Sequence, residues 1–276
     1  MMGFLDARRQ YAPRLPHLDD DHVTRALMAS ALFLVAFFIA TIPAWLTDPR
    51  MLDGVNVWTK PQKFAVSLAV HFLTLAILAQ QLPRNVRAGP SMSLFTYLAM
   101  ASMLFEQVYI AIQAARARRS HFNFETELEM GLYSLMGLGA LLLVFVAVVL
   151  AIQIWRKGER NLQGFRLGSI IGLIAGAAAT LGFAGYMSMS GSHWIGEHPP
   201  GGASVPFFGW SLETGDLRPA HFVALHMMQS LPIIGYAVDK IGGPSRLAVL
   251  IGAAIQLALA AWLFMQALAG NPFWPI

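Results

Sequence analysis

Residues 131–154 read GLYSLMGLGALLLVFVAVVLAIQI, 24 positions without a charged side chain. A helix rises about 1.5 Å per residue, so roughly 20 apolar residues cross the hydrocarbon core of a bilayer. The run is continuous, whereas a strand of a membrane β-barrel alternates lipid-facing and lumen-facing residues. Comparable runs recur on either side of it and predict seven spans, at 26–46, 63–82, 91–113, 131–154, 167–189, 220–238 and 246–269. Turn signals separate them, among them Pro83, Gly89-Pro90 and Gly242-Gly243-Pro244.

Composition leads to the same class. Hydrophobic residues make up 56% of the 276 and charged residues 12%, against about 25% charged in soluble domains. The expectation is an all-α polytopic integral membrane protein. It forms one transmembrane helical domain over 1–276, with a cytoplasmic arm at 1–25 and a long outward loop at 190–219. The formal charge of +4 sits in short basic clusters beside the apolar runs, so membrane lipids rather than nucleic acid are the expected partners. Without cysteine there is no disulfide, thiolate ligand or cysteine nucleophile. The first run exceeds the apolar core of a cleavable signal and is read as a retained helix. Asp19, Asp20 and Asp21 precede it, suiting an N-cap.

Lysine and arginine set the orientation. Twelve fall on the side of the N-terminal arm and loops two, four and six, among them Arg8, Arg9 and Arg87. Seven fall on the side of loops one, three and five. The basic side is the cytoplasmic one, so the N-terminus is expected inside and the C-terminus outside. In the fifth span Gly168, Gly172 and Gly176 repeat every four residues, a spacing that admits close helix approach, either within the bundle or across a homo-oligomer interface.

The distinctive polar sequence collects in or beside the outward loops, where loop one ends in NVWTKPQKF, loop three contains RARRSHFNFETELE and loop five runs through GDLRPAHF. The cytoplasmic loops are short and merely basic. By helical rise His71 lies roughly 12 Å below Lys63, Glu106 roughly 10 Å deep, and His226 about 7.5 Å beyond His221. Gln229 follows one turn below His226. Buried ionisable groups at such depth normally face a polar cavity or one another, which makes His71, Glu106, His221, His226 and Gln229 one candidate cluster in the outer half. His121, Asn123, Asp216, Arg218, Lys60 and Lys63 are candidates for supporting or substrate-binding roles at its rim. Asp216 is positioned to cap the sixth helix or to hold Arg218. His193 and His198 fall in a Gly/Pro-rich loop, and Arg116, Arg118 and Arg119 are read as interfacial charges meeting lipid headgroups.

Histidines with a carboxylate suit zinc, copper or iron, and two histidines from different helices suit haem b. His221 and His226 point about 140° apart on an ideal helix, so His226 is the firmer ligand with His71. Such a site would act in redox or metal-assisted hydrolytic chemistry on a membrane-soluble substrate. In the hydrolytic version Glu106 would take a proton from metal-bound water, and the outward lysines and arginines would draw an anionic headgroup.

The segments WTKPQKFAVS, SHFN and GDLRPAHFVALHMMQSLP resemble the signatures of a family of uncharacterised multi-pass bacterial membrane proteins. That resemblance implies a multi-pass protein of the bacterial inner membrane and adds nothing on mechanism; the orientation set by the basic loops is what puts the expected site on the periplasmic or exterior side. Ser67-x3-His71, with two histidines on a late helix of seven, is similar to the alkaline ceramidase-like hydrolases. That similarity implies a zinc held by His71, His221 and His226, with Ser67 as a hydrogen-bond donor to the transition state. The late pair here has four intervening residues rather than three, and no Asp follows His71 on its helix. Two other readings remain open: a proton-coupled transporter or small-molecule receptor, and an accessory subunit of a membrane complex.

Overall fold

The computed structural model describes residues 13–197 and 201–274; Arg8, Arg9 and His198 lie outside the described residues. Helix α1, His22–Thr47, starts on the Asp21 carboxylate, which accepts from the amides of Val23 and Thr24. Helix α2 is Thr59–Ala79, and after a single turn at Arg84–Arg87 helix α3, Pro90–Ala115, carries its proline in the first turn, where a missing N–H costs nothing. Helix α4, Glu127–Lys157, is capped by the Thr126 hydroxyl and closes on Arg156 and Lys157, which suit the negative end of its dipole. Helix α5 is Gln163–Ser190. It is capped from a distance, because Asp239 accepts from the amides of Gly164 (3.1 Å) and Phe165 (2.8 Å).

The sixth predicted span is not one helix. It folds as α6, Arg218–Leu225, followed by α7, Met227–Ile241, with His226 between them at ψ 0°. Helix α8, Ser245–Leu268, follows. Helices α1, α2, α3, α4, α5 and α8 are each long and apolar enough to cross a membrane, and the pair α6–α7 completes a seventh pass through the bundle.

Contacts sort the loops onto two faces. Glu159 donates its amide to the Gln81 carbonyl at 2.9 Å and Arg87 binds Asp21 at 2.6 Å, so the even loops and the start of α1 share a face. On the opposite face the odd loops meet. Loop one is a two-residue hairpin, β1 (Met51–Leu52) against β2 (Val55–Asn56), turned through Asp53 at φ +51° and Gly54 at φ +80°, the geometry that Asp-Gly favours. Loop five contains the antiparallel pair β3 (Trp194–Ile195) and β4 (Gly215–Asp216), which rests on the end of α8.

A core of small and aliphatic residues, including Leu27, Phe72, Ala99, Leu150 and Leu173, runs between the helices. Large apolar side chains also cover the outside, as at Leu32, Ile39, Leu138, Ile255 and Trp262. A surface of that character belongs in lipid, not water. The chain is an all-α multi-pass membrane protein.

Candidate functional site

The face formed by the odd loops carries a cap built from all three of them. Arg119 in loop three binds Asp53 in loop one through both of its carboxylate oxygens, at 2.9 and 2.5 Å. Asp216 holds Arg218 the same way, accepts the Arg218 amide at 3.0 Å and accepts the Ser211 amide at 2.9 Å. It therefore takes up the first amide of α6 and fixes the arginine, whose guanidinium also donates to the Gly209 carbonyl and lies 5.7 Å from the Trp194 ring centre. Asp48 clamps Arg50 and accepts the Trp58 indole N–H at 2.9 Å. Hydrogen bonds from Arg50 and then from Trp58 hold its carboxyl far below the usual carboxylate range. The three arginines of loop three make partners within the chain: Arg118 reaches Glu125 and Glu129, and Arg116 donates to Gln113 at 3.2 Å.

Loop one is shorter than its sequence suggests. Helix α2 starts at Thr59 rather than near residue 63, because Pro61 fits a first helical turn. Lys60 thereby becomes a first-turn residue of α2 and Lys63 opens its second turn, both under the cap. Lys63 donates to the Phe208 carbonyl at 3.0 Å. His121 packs between Phe64 of α2 and Tyr133 of α4, with Ser120 Oγ 3.2 Å from its Nδ1. Asn123 is buried and donates to the Arg119 carbonyl at 2.9 Å, which fixes the shape of the loop.

Burial first, and the charge of Lys60 second, hold the His121 ring neutral well below its usual range. The folded chain thus binds fewer protons there than the unfolded chain. Its contribution is present above the ordinary histidine value of about 6.5 and is lost as pH falls through it. Detergent-solubilised wild type is expected to lose thermal stability between pH 7 and pH 5, and H121N to lose less over the same interval. Parallel curves for the two proteins would remove His121 as the cause.

Below the cap lies the polar interior. His71, at the edge of burial on α2, is hydrogen-bonded to the Leu143 carbonyl of α4, and its Nε2 has no partner. His221 on α6 is hydrogen-bonded to the Thr180 carbonyl of α5, and its Nδ1 has none. Thr180 Oγ1, also without a partner, lines with His71 a cavity of about 20 Å³ between α2, α4, α5 and the α6–α7 pass. Glu106 of α3 lies against Gly139 of α4, and its Oε1 has no partner. Gly139 and Leu143 are one turn apart on α4, so Glu106 and His71 address adjacent turns of one helix. His226 has its Nδ1 3.2 Å from Gln229 Oε1 and its ring 4.2 Å from that of Phe222, while Gln229 donates to Thr74 of α2 at 3.1 Å.

The predicted cluster therefore divides. His71, His221 and the unpredicted Thr180 come together, Glu106 flanks them, and His226 with Gln229 forms a strut to α2. Ser67 is exposed on α2. No group of three or more His, Cys, Asp or Glu able to hold a metal occurs among the described residues. Thr180, Thr74 and the Leu143 carbonyl gave no sequence signal, since a lone threonine or a backbone acceptor in an apolar helix is ordinary. Gly168 and Gly172 face the α7 backbone and Gly176 faces the Ala224 carbonyl of α6, within the chain.

These features define a polytopic membrane protein with a cap of paired charges on the face of the odd loops above a histidine-bearing interior. Comparison with family models, curated proteins and solved structures finds no match.

Proposed function

We propose that the protein is a membrane-embedded enzyme whose reactive groups are His71 and His221, acting from the outer half of the bundle on a membrane-soluble substrate. One observation carries this reading. Each of the two histidines gives one ring nitrogen to a backbone carbonyl and keeps the other buried without a partner, and Thr180, whose carbonyl holds His221, lines a cavity with His71. Fixing one nitrogen on a carbonyl is how metal-ligating histidines are oriented. The reading assigns them a single zinc, copper or iron ion whose remaining ligands are water or substrate, with Glu106 as the proton acceptor. The cavity beside His71, about 20 Å³, suits a water-sized guest and so favours an ion with its water over haem b. The excess of basic residues on the other face supports a site facing outward under the positive-inside rule.

The interruption of the sixth pass at His226 favours a second reading, proton-coupled transport, since carriers bind at broken helices. Elemental analysis of protein purified without a metal-affinity tag separates the two. The first reading expects about one transition ion per chain and almost none in H71A and H221A, since loss of a ligand should weaken binding by more than the 10–100-fold typical of outer-shell changes. Metal-free wild type that carries protons in proteoliposomes would replace the enzyme with the carrier.

A further inference from the structure

We propose that the outer cap encloses a binding site for an anionic oxygen group, phosphate or carboxylate, whose direct partners are Lys60 and Lys63. The inference goes beyond the two-histidine reading and does not depend on it. It begins with the balance of charge under the cap. Four cations gather there, Lys60, Lys63, Arg119 and Arg218, all within electrostatic reach of Lys60. The two acids among them are already committed, Asp53 to Arg119 and Asp216 to Arg218, each through two oxygens. Among the described residues neither lysine has an ion-pair partner. The hydrogen bond of Lys63 goes to a neutral carbonyl.

Two half-buried lysines one turn apart, whose nearest acids are each bound to an arginine, are costly, because a charge withdrawn from water requires a partner. Their position adds to the cost. Lys60 stands in the first turn of α2, which contains no acid, and Lys63 opens the second, near the end where the helix dipole is itself positive. Every local preference at that terminus is for an anion, and the chain supplies cations instead. A sequence breaks local consistency in this way where function requires it. The missing charge is that of a ligand.

A second feature gives the ligand a route. A cavity of about 210 Å³ opens between the end of α1, the loop-one hairpin and loop five, lined by Trp45, Asn56, Thr59, Phe207 and Gly209 among others. Thr59 immediately precedes Lys60, and Lys63 Nζ lies 3.7 Å from where a Gly209 Cβ would be. Aromatic residues at this level sit where membrane meets water. An anionic head would reach the lysines past Gly209, with the rest of an amphiphile lying against Trp45 and Phe207. A free anion satisfies the same two ammonium groups without using the aromatic wall.

The test is thermal unfolding of full-length protein in neutral maltoside detergent, with dioleoylphosphatidylglycerol, dioleoylphosphatidylcholine or inorganic phosphate added. Stabilisation of the wild type by phosphatidylglycerol but not phosphatidylcholine, with a midpoint shifted at least tenfold in K60Q and K63Q, supports a lipid headgroup. Stabilisation by inorganic phosphate with the same tenfold loss supports a free anion. K60R, which keeps the charge, retains the response. Equal responses in K60Q and wild type overturn the site, and so does an equal loss in R84Q, which alters an exposed charge on the opposite face. If neither anion stabilises the wild type, the proposal fails whether or not the variants fold. Each of these readouts is independent of metal content, so loss of the two-histidine reading would leave the result intact.

Discussion

Gly235→Val is expected to yield a protein that loses its folded form well below the unfolding temperature of the wild type. A Cβ at Gly235 would lie 2.0 Å from the Gly164 carbonyl oxygen, and one at Gly164 would lie 2.6 Å from the Gly235 oxygen. The contact repeats along the crossing of α5 and α7. A Cβ at Gly168 would meet the Leu231 oxygen at 2.3 Å and one at Gly172 the Met227 oxygen at 2.4 Å. Backbone faces backbone throughout, so no side chain can swing aside to make room. Overpacking of a core costs about 1–3 kcal/mol even where side chains can yield, and here about 3 kcal/mol or more is expected. For a chain of this size that is a fall of roughly 6–12 °C in unfolding temperature. The matched control is Gly182→Val on α5, where a Cβ meets nothing within 4 Å. If both variants unfold together, helix propensity rather than close approach explains the loss. The crossing also bears on the site, because it presses the α6–α7 pass, and with it His221, against Thr180.

Much of this architecture was readable as hydrophobic length and turn chemistry. Uncharged runs such as 131–154 gave the passes, and the four-residue glycine spacing announced a close crossing, though not that α7 would fill it. The break at His226 was not readable. No Gly or Pro marks that position, and the helix yields where the His226 ring packs on Phe222 and its Nδ1 meets Gln229. The cap was equally hidden. Arg119 and Asp53 lie 66 residues apart, and charges in separate loops give no sign of which will pair. Loop three therefore read as lipid-facing arginines when each has an internal partner.

The candidate site was legible as residue types but not as geometry. His71 and His221 stood out because ionisable groups are rare in apolar helices. Their fixing partners, the Leu143 and Thr180 carbonyls, are backbone atoms that every residue possesses. Ser67 illustrates the converse. It precedes His71 by one turn, yet this side of α2 is open at Val66, Ser67 and Val70, so sequence spacing alone overstated its place in the interior.

Arg87→Met is expected to destabilise the fold by about 3–5 kcal/mol, the usual result of removing one member of a buried ion pair. Read as one of the merely basic residues of the even loops, Arg87 is in fact 2% exposed, as is the Asp21 side chain it binds at 2.6 Å. Asp21 is also the N-cap of α1, accepting from the amides of Val23 and Thr24 at 3.1 and 3.0 Å, while Arg87 donates to the Leu82 carbonyl at 3.1 Å. Burial works against ionisation of that carboxyl, but the Thr24 amide and Arg87 outweigh it and hold it below its usual range. Removing the guanidinium therefore leaves a buried carboxylate that must either stay charged without its partner or take up a proton and weaken the cap. D21N keeps a capping side chain and removes the charge, so D21N/R87M should recover part of the loss. Thermal unfolding of the single and double variants checks both expectations, and a change in R87M below about 1 kcal/mol would reduce the pair to the worth of a surface contact. Because the pair ties α1 to loop two on the face opposite the cap, R87M should lower stability while leaving the anion response at Lys60 and Lys63 as in the wild type. The two ends of the bundle thus answer to separate substitutions, one structural and one functional.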